Sequence, residues 1–94
     1  MDHDRFDWNN EKAKANLAKH GVSFEQLRQA FGDPFGLELI DDRFEYGEER
    51  LILIARAQGR FLTVVYVERD QTYRLISARP SSKAEQDAYF EAQR

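Results

Sequence analysis

RLILIAR (50–56), RFLTVVYVE (60–68) and YRLISAR (73–79) are three runs rich in β-branched and aromatic residues. Only short polar breaks separate them, Gln58-Gly59 and Asp70 to Thr72. Runs of this length and composition between tight turns predict an antiparallel meander. RLILIAR is apolar at consecutive positions, as a central strand buried on both faces would be. Leu37 to Ile40 reads as an edge strand before a polar loop from Asp41 to Glu49.

The periodicity differs on either side of these strands. Asn9 or Asn10 can cap a helix over Glu11 to Lys19, with Ala13, Leu17 and Ala18 as a thin apolar stripe and His20-Gly21 as its stop. Ser23 and Gln26 have the spacing of a capping box for a second helix. Phe24, Leu27 and Phe31 form its apolar face, and Gly32-Asp33-Pro34 ends it. A last helix is expected over Lys83 to Gln93, with Ala84, Ala88 and Tyr89 facing inward. Phe6 to Trp8 reads as a brief strand or a staple. The expected class is α+β, an antiparallel sheet meander with two N-terminal helices and one C-terminal helix. At 94 residues, the chain (1–94) has room for one domain and one core.

The net charge of −3 conceals an asymmetry. Residues 1–49 carry a net −6, residues 50–79 a net +4, and residues 80–94 a net −1. All basic residues of the middle stretch are arginines, at 50, 56, 60, 69, 74 and 79. A local basic field attracts a phosphate backbone, and the arginine fork binds phosphate in two-pronged fashion. Arginines facing solvent on alternating strand positions fit the same pattern.

Strand alternation gives the arginines a direction. With Glu68 opposite Tyr73, one face carries Leu62, Val64, Tyr66, Glu68, Tyr73, Leu75, Ser77 and Arg79. The other carries Phe61, Thr63, Val65, Val67, Arg74, Ile76 and Ala78. The second face is the more apolar and is assigned to the core. Arg74 must then reach the sheet edge or find an acidic partner.

Several chemistries are excluded. There is no cysteine, hence no disulfide, thiol nucleophile or Cys-based zinc site. His3 and His20 are not in a ligand spacing, and the acidic pairs Asp41-Asp42 and Glu48-Glu49 read as solvated loop charges. No Gly-rich phosphate loop, GxSxG or HExxH occurs. No metal and no cofactor are expected. No apolar run approaches the ~20 residues that cross a bilayer. The opening MDHDRFDWNN is acidic and polar, unlike a secretory leader, so a cytoplasmic chain without membrane contact is expected.

The remaining Arg, Lys, Glu, His and Tyr side chains suffice to cleave RNA without a metal. The ribose 2′-OH attacks the adjacent phosphate, which needs a proton acceptor, a proton donor and cations on the pentavalent transition state. Glu68 or His20 can serve as base, His20, Lys19 or a tyrosine as acid, and the arginines as clamp. Trp8, Tyr66 or Tyr73 can stack a base.

Local strings narrow this. Trp8, Lys12-Ala13, Asn16-Leu17, the run Lys19-His20-Gly21-Val22-Ser23-Phe24-Glu25, Phe31 and Asp33-Pro34 resemble the opening of the BrnT toxin family. Glu49-Arg50, Val64-Val65-Tyr66, Arg69, Arg74, Ile76-Ser77-Ala78-Arg79, Glu85 and Tyr89 resemble the rest, in order over nearly the whole chain. Two positions depart: Ala55-Arg56 where members usually carry Gly, and Pro80 where another basic residue is frequent. The resemblance implies a RelE-like fold and the toxin half of a bacterial type II toxin–antitoxin pair. It implies a ribonuclease that blocks translation. The implied partner is a BrnA-like ribbon-helix-helix antitoxin, through which alone the complex contacts operator DNA.

On this reading Arg79, Glu68, Arg50 and His20 are the expected catalytic residues. Arg69, Arg74, Lys19, Tyr66 and Trp8 are the expected RNA contacts. Each has a structural alternative: a salt bridge to Glu85 or Glu68 for Arg79, an ion pair for Glu68, a solvated strand end for Arg50 and Arg69. For Lys19 and His20 it is a helix cap, and for Trp8 the core. The competing function is a non-catalytic module that docks an antitoxin and represses transcription with it. Phe24, Phe31, Phe61, Val65 and Ile76 are expected in the core.

Overall fold

The computed structural model describes residues 6–41 and 49–94. Along the chain run β1 (Phe6–Asp7), α1 (Asn10–His20), α2 (Phe24–Phe31), β2 (Leu37–Asp41), β3 (Arg50–Ala57), β4 (Arg60–Arg69), β5 (Thr72–Pro80) and α3 (Lys83–Glu91). His3 and most of the polar loop after Asp41 lie outside the described residues. The class is α+β, as the sequence predicts. The five strands form one sheet in the order β1-β5-β4-β3-β2. Strands β2 to β5 pair antiparallel with their neighbours in sequence. The short β1 adds in parallel to the far edge of β5, so the sheet is mixed.

Both hairpins of the meander turn through two residues with positive φ, Gln58-Gly59 (52° and 77°) and Asp70-Gln71 (52° and 64°). Their closing pairs are Ala57 with Arg60 and Arg69 with Thr72. Two left-handed central residues give a turn whose twist matches that of the strands, and Gly59 adopts it without Cβ strain.

The helix ends follow the capping residues. Asn9 Oδ1 accepts from the N–H groups of Glu11 (2.8 Å) and Lys12 (3.4 Å). Gly21, at φ 65°, closes α1 in the left-handed region. Ser23 and Gln26 form the expected capping box. The last carbonyls of α1 have no partner within the helix. Arg60 supplies one, donating to His20 O and Gly21 O, each at 3.0 Å. This arginine is therefore a structural clasp between the β3–β4 turn and α1.

The main core lies between the sheet and α2, where Val22, Leu27 and Ala30 meet Leu53, Ala55, Leu62, Val64, Tyr66, Leu75 and Ala78. It reverses the expected assignment of faces. Leu62, Val64 and Tyr66 point into this core, whereas Phe61, Thr63, Val65, Val67 and Arg74 belong to the opposite face. Alternation could not decide between two faces that are both rich in aliphatics. The second face needs them because α3 covers one end of it, where Tyr89 (2% exposed) packs edge-on to Phe61 at 5.3 Å.

A β-bulge alters the parity along β5. Val65 pairs with Ser77 but Tyr66 pairs with Leu75, which leaves Ile76 as the extra residue. Leu75 and Ala78 consequently share the core face although they are three apart. Ser77 and Arg79 turn to the other face, beside Val65 and Thr63. Strict alternation had placed Arg74 and Arg79 on opposite sides; the bulge brings them onto one. That face also receives Arg50 and Arg56 from β3 and Arg69 from β4. Of these six arginines only Arg60 departs, toward the junction of α1 and α2.

Two further expectations fail. Helix α1 buries none of its residues, and Leu17 is 55% exposed. The helix lies along the edge of β5 beyond β1 instead of across the sheet, anchored by Asn16 Oδ1, which accepts from Ala78 N at 3.2 Å. Phe24 is 40% exposed and contributes an edge contact to Phe6, 5.9 Å away, in place of a core position. Among the described residues, no helix is long and apolar enough to cross a membrane.

Candidate functional site

Arg79 emerges from the end of β5 on the arginine face. Its Nη1 and Nη2 each donate at 2.7 Å to Glu85, one to each carboxylate oxygen. Glu85 sits at the third position of α3, and the Ser82 capping box fixes it: Ser82 N donates to Glu85 Oε1 at 2.8 Å and Glu85 N donates to Ser82 Oγ at 3.2 Å. The buried Thr63 hydroxyl, opposite Arg79 on β4, donates to the same oxygen at 3.0 Å. Thr63 thereby leaves its own oxygen to accept from Ser81 Oγ at 2.7 Å. Chiefly the Arg79 hydrogen bonds, helped by Ser82 and Thr63 against the cost of burial, hold Glu85 well below the usual carboxylate range, at about 2.

The α1 side of the β5 edge forms a second element. A cavity of about 260 Å³ is lined by Ala15, Asn16, Lys19, His20 and Ser77. The structure thus brings Lys19 and His20 to the strand that bears Arg79, two residues beyond Ser77. The Asn16–Ala78 hydrogen bond sets this alignment, and sequence reasoning did not single out Asn16 as a site residue. The left-handed Gly21 and the Arg60 clasp fix the end of α1 that carries Lys19 and His20.

A third group lies at the opposite end of β5. Arg74 Nε stands 3.6 Å from Asp7 Oδ2, the second of the two outcomes expected for it, with both side chains more than half exposed. The pair separates two cavities, one of about 270 Å³ reaching Asn9 and Lys12 and one of about 230 Å³ reaching Arg69 and Asp70. Arg50 begins β3 opposite Asp41, which is 5% exposed.

The other expected residues fall apart from this arrangement. Glu68 is exposed opposite Tyr73, and alternation puts it on the α2 side of the sheet, away from Arg79. Tyr66 is 1% exposed, its ring edge-on to Phe31 (5.0 Å) and Tyr73 (5.5 Å), with no ring face open to a base. Its hydroxyl donates to the Glu38 carboxylate on β2. Burial first, and that carboxylate second, push the phenol far above its ordinary value. Trp8 is half-buried against the core and lines an apolar groove with Leu17 and Phe24. Among the described residues, no three His, Asp or Glu side chains are grouped to hold a metal ion.

Helix α3 is latched a second time by Asp33. One carboxylate oxygen accepts from Phe35 N (2.9 Å), the other from Arg56 N (2.9 Å) and Tyr89 Oη (2.7 Å). Burial alone would raise this carboxyl, but the three donors outweigh it and lower it. Both latches thus have depressed folded values, so their contribution is full above the unfolded values and is lost as pH falls through the folded ones. For Glu85 that window runs from its ordinary 4.5 down to about 2. Amide-exchange protection in α3, measured relative to the free peptide at each pH, is expected to fall through this range before that of β3 and β4. Simultaneous loss of protection everywhere would contradict the latch.

A family model described as the ribonuclease toxin BrnT of type II toxin–antitoxin systems matches residues 8–85. No curated protein matches the chain. The matched span starts at Trp8, takes in the whole of α1 and the meander, and ends on the carboxylate that holds Arg79. By that match the chain belongs to the BrnT family, the ribonuclease toxins of type II toxin–antitoxin systems.

Proposed function

We propose that the chain is an endoribonuclease whose site is the edge and arginine face of β5, with Arg79 as the cation on the scissile phosphate. The observation that carries this reading is the cavity shared by Lys19 and His20 of α1 with Ser77 of β5, because it joins a titratable imidazole to the strand bearing Arg79. The 2′-oxygen attacks phosphorus and the P–O5′ bond breaks, leaving a 2′,3′-cyclic phosphate and a 5′-hydroxyl. The proton lost from the 2′-OH is taken by a base, and the departing 5′-oxygen receives one from an acid. His20 suits either transfer, since an imidazole can accept a proton at one ring nitrogen and donate from the other. Lys19 and Arg79 offset charge on the phosphate oxygens. Arg50, Arg69 and Arg74, on the same face as Arg79, offer contacts to flanking phosphates. Glu68 belongs to the other side of the sheet and is not assigned the base.

In this reading cleavage needs no metal, blocks translation, and takes place on a RelE-like scaffold. A BrnA-like ribbon-helix-helix antitoxin neutralises the toxin and carries the complex to operator DNA. Purified chain incubated with RNA in EDTA is expected to yield fragments with cyclic phosphate and 5′-hydroxyl ends. One observation favours the alternative, a docking module without catalysis: both prongs of Arg79 already hold Glu85. Intact RNA in that experiment, together with tight binding of the antitoxin, would establish the module.

A further inference from the structure

We infer that Glu85 is a positioning residue for Arg79, holding its guanidinium in the orientation that meets the scissile phosphate; the inference rests on the catalytic role proposed for Arg79. The pair admits two opposite functions, because a carboxylate on a catalytic cation can either aim it or occupy it. The burial of the two partners decides between them. The Glu85 side chain is 22% exposed and that of Arg79 45%, so the acid is the enclosed member and the cation faces outward. An occupying acid would have to leave when the phosphate arrives. Glu85 is instead fixed from behind by Ser82 N at 2.8 Å and by Thr63 Oγ at 3.0 Å. Thr63 is itself 1% exposed and tied to Ser81. The chain of hydrogen bonds from Ser81 through Thr63 to Glu85 ends on the guanidinium, and each member before it is buried or half-buried. A guanidinium offers five N–H donors; two hold Glu85, and Nη1 also reaches Pro80 O at 3.3 Å, a longer contact that a phosphate oxygen can replace.

The substitution that isolates this role is Glu85→Gln. Gln at the third helical position still closes a capping box, so α3 keeps its start. Its one oxygen can keep the Ser82 and Thr63 donors, but its amide then faces Arg79 Nη2, donor against donor. With the RNA substrate above, kcat is expected to fall about 10–100-fold with KM little changed, as for a misplaced catalytic group. Arg79→Lys keeps the charge but cannot make the two-pronged contact. It should lose a similar factor, and Glu85→Gln added to it should cost nothing more. Unchanged or increased cleavage by Glu85→Gln would overturn the inference, the increase by showing that Glu85 restrains Arg79. An equal further loss in the Arg79→Lys background would overturn it as well, by showing an effect through α3 alone. Should Glu85→Gln lose its cooperative melt, Arg79→Lys decides: a wild-type rate overturns the inference, a reduced one upholds it. Full activity of Arg79→Ala would instead remove the parent reading of Arg79.

Discussion

Arg79→Ala is expected to abolish growth arrest on induction and to lower RNA cleavage by about 100–1,000-fold, the usual loss when one stabiliser of transition-state charge is removed. The variant should remain folded. Glu85 keeps its Ser82 and Thr63 donors, and its carboxyl moves back toward the ordinary range once the guanidinium is gone. Half-exposure of Arg79 screens the pair, so its loss weakens the α3 latch only modestly while Ser82 and Thr63 still hold Glu85. A circular-dichroism melt close to wild type with lost toxicity is therefore the expected combination. Arg56→Ala provides the control for charge alone. Arg56 lies on the same face, with its guanidinium 5.3 Å from the centre of the Phe61 ring, yet it is at the far side of the meander from the β5 edge. Its loss should leave cleavage largely intact. A well-expressed Arg79→Ala variant that still arrests growth would refute the assignment of the site.

How far such a site can be read from sequence depends on the parity of one strand. The three runs that define the meander appear in the structure with their ends shifted by at most one residue, since turn chemistry at Gln58-Gly59 and Asp70-Gln71 marks where each must stop. The capping residue Ser23 was equally legible, and the cap of α1 was narrowed to Asn9 or Asn10, because a side-chain acceptor before an apolar run has few other uses. The faces were not. YRLISAR alternates plausibly in either parity, and Ile76, a good strand former, gives no sign that it is the inserted residue of a bulge. Only the pairing with β4 reveals it, as Val65 meets Ser77 while Tyr66 meets Leu75. One unpaired residue moved Arg79 from the side of Tyr66 and Glu68 to that of Arg74 and separated the expected base from the expected clamp. Residues whose roles arise from long-range contacts were hidden for a related reason. Asn16 is a polar residue in a polar helix until Ala78 N lies beside its amide. The partnership of Arg79 with Glu85 was one of two roles open to that arginine, and it took α3 folding back onto β4 to set it.

Tyr66→Ala tests the same question of faces through stability, with an expected loss of about 3–5 kcal/mol, as for other large aromatic truncations in a core. The ring is 1% exposed and is enclosed by Phe31 and Tyr73, themselves stacked on each other at 5.0 Å. Removing it opens a cavity that neither neighbour can fill without giving up that contact. Against the ~5–15 kcal/mol that separates folded from unfolded domains of this size, such a loss should shift the urea midpoint far down or leave no cooperative transition. Tyr66→Phe removes only the hydroxyl. Its partner Glu38 is exposed on the edge strand and can turn to water, so about 0.5–1.5 kcal/mol is expected, the net value of one hydrogen bond. A tyrosine that stacks a nucleobase predicts the reverse pattern: Tyr66→Ala would melt like the parent and bind single-stranded RNA more weakly. A parental urea midpoint for Tyr66→Ala would therefore put the tyrosine on the working surface. It would also require the parity of β4, and with it the placement of every arginine on the far face, to be reversed.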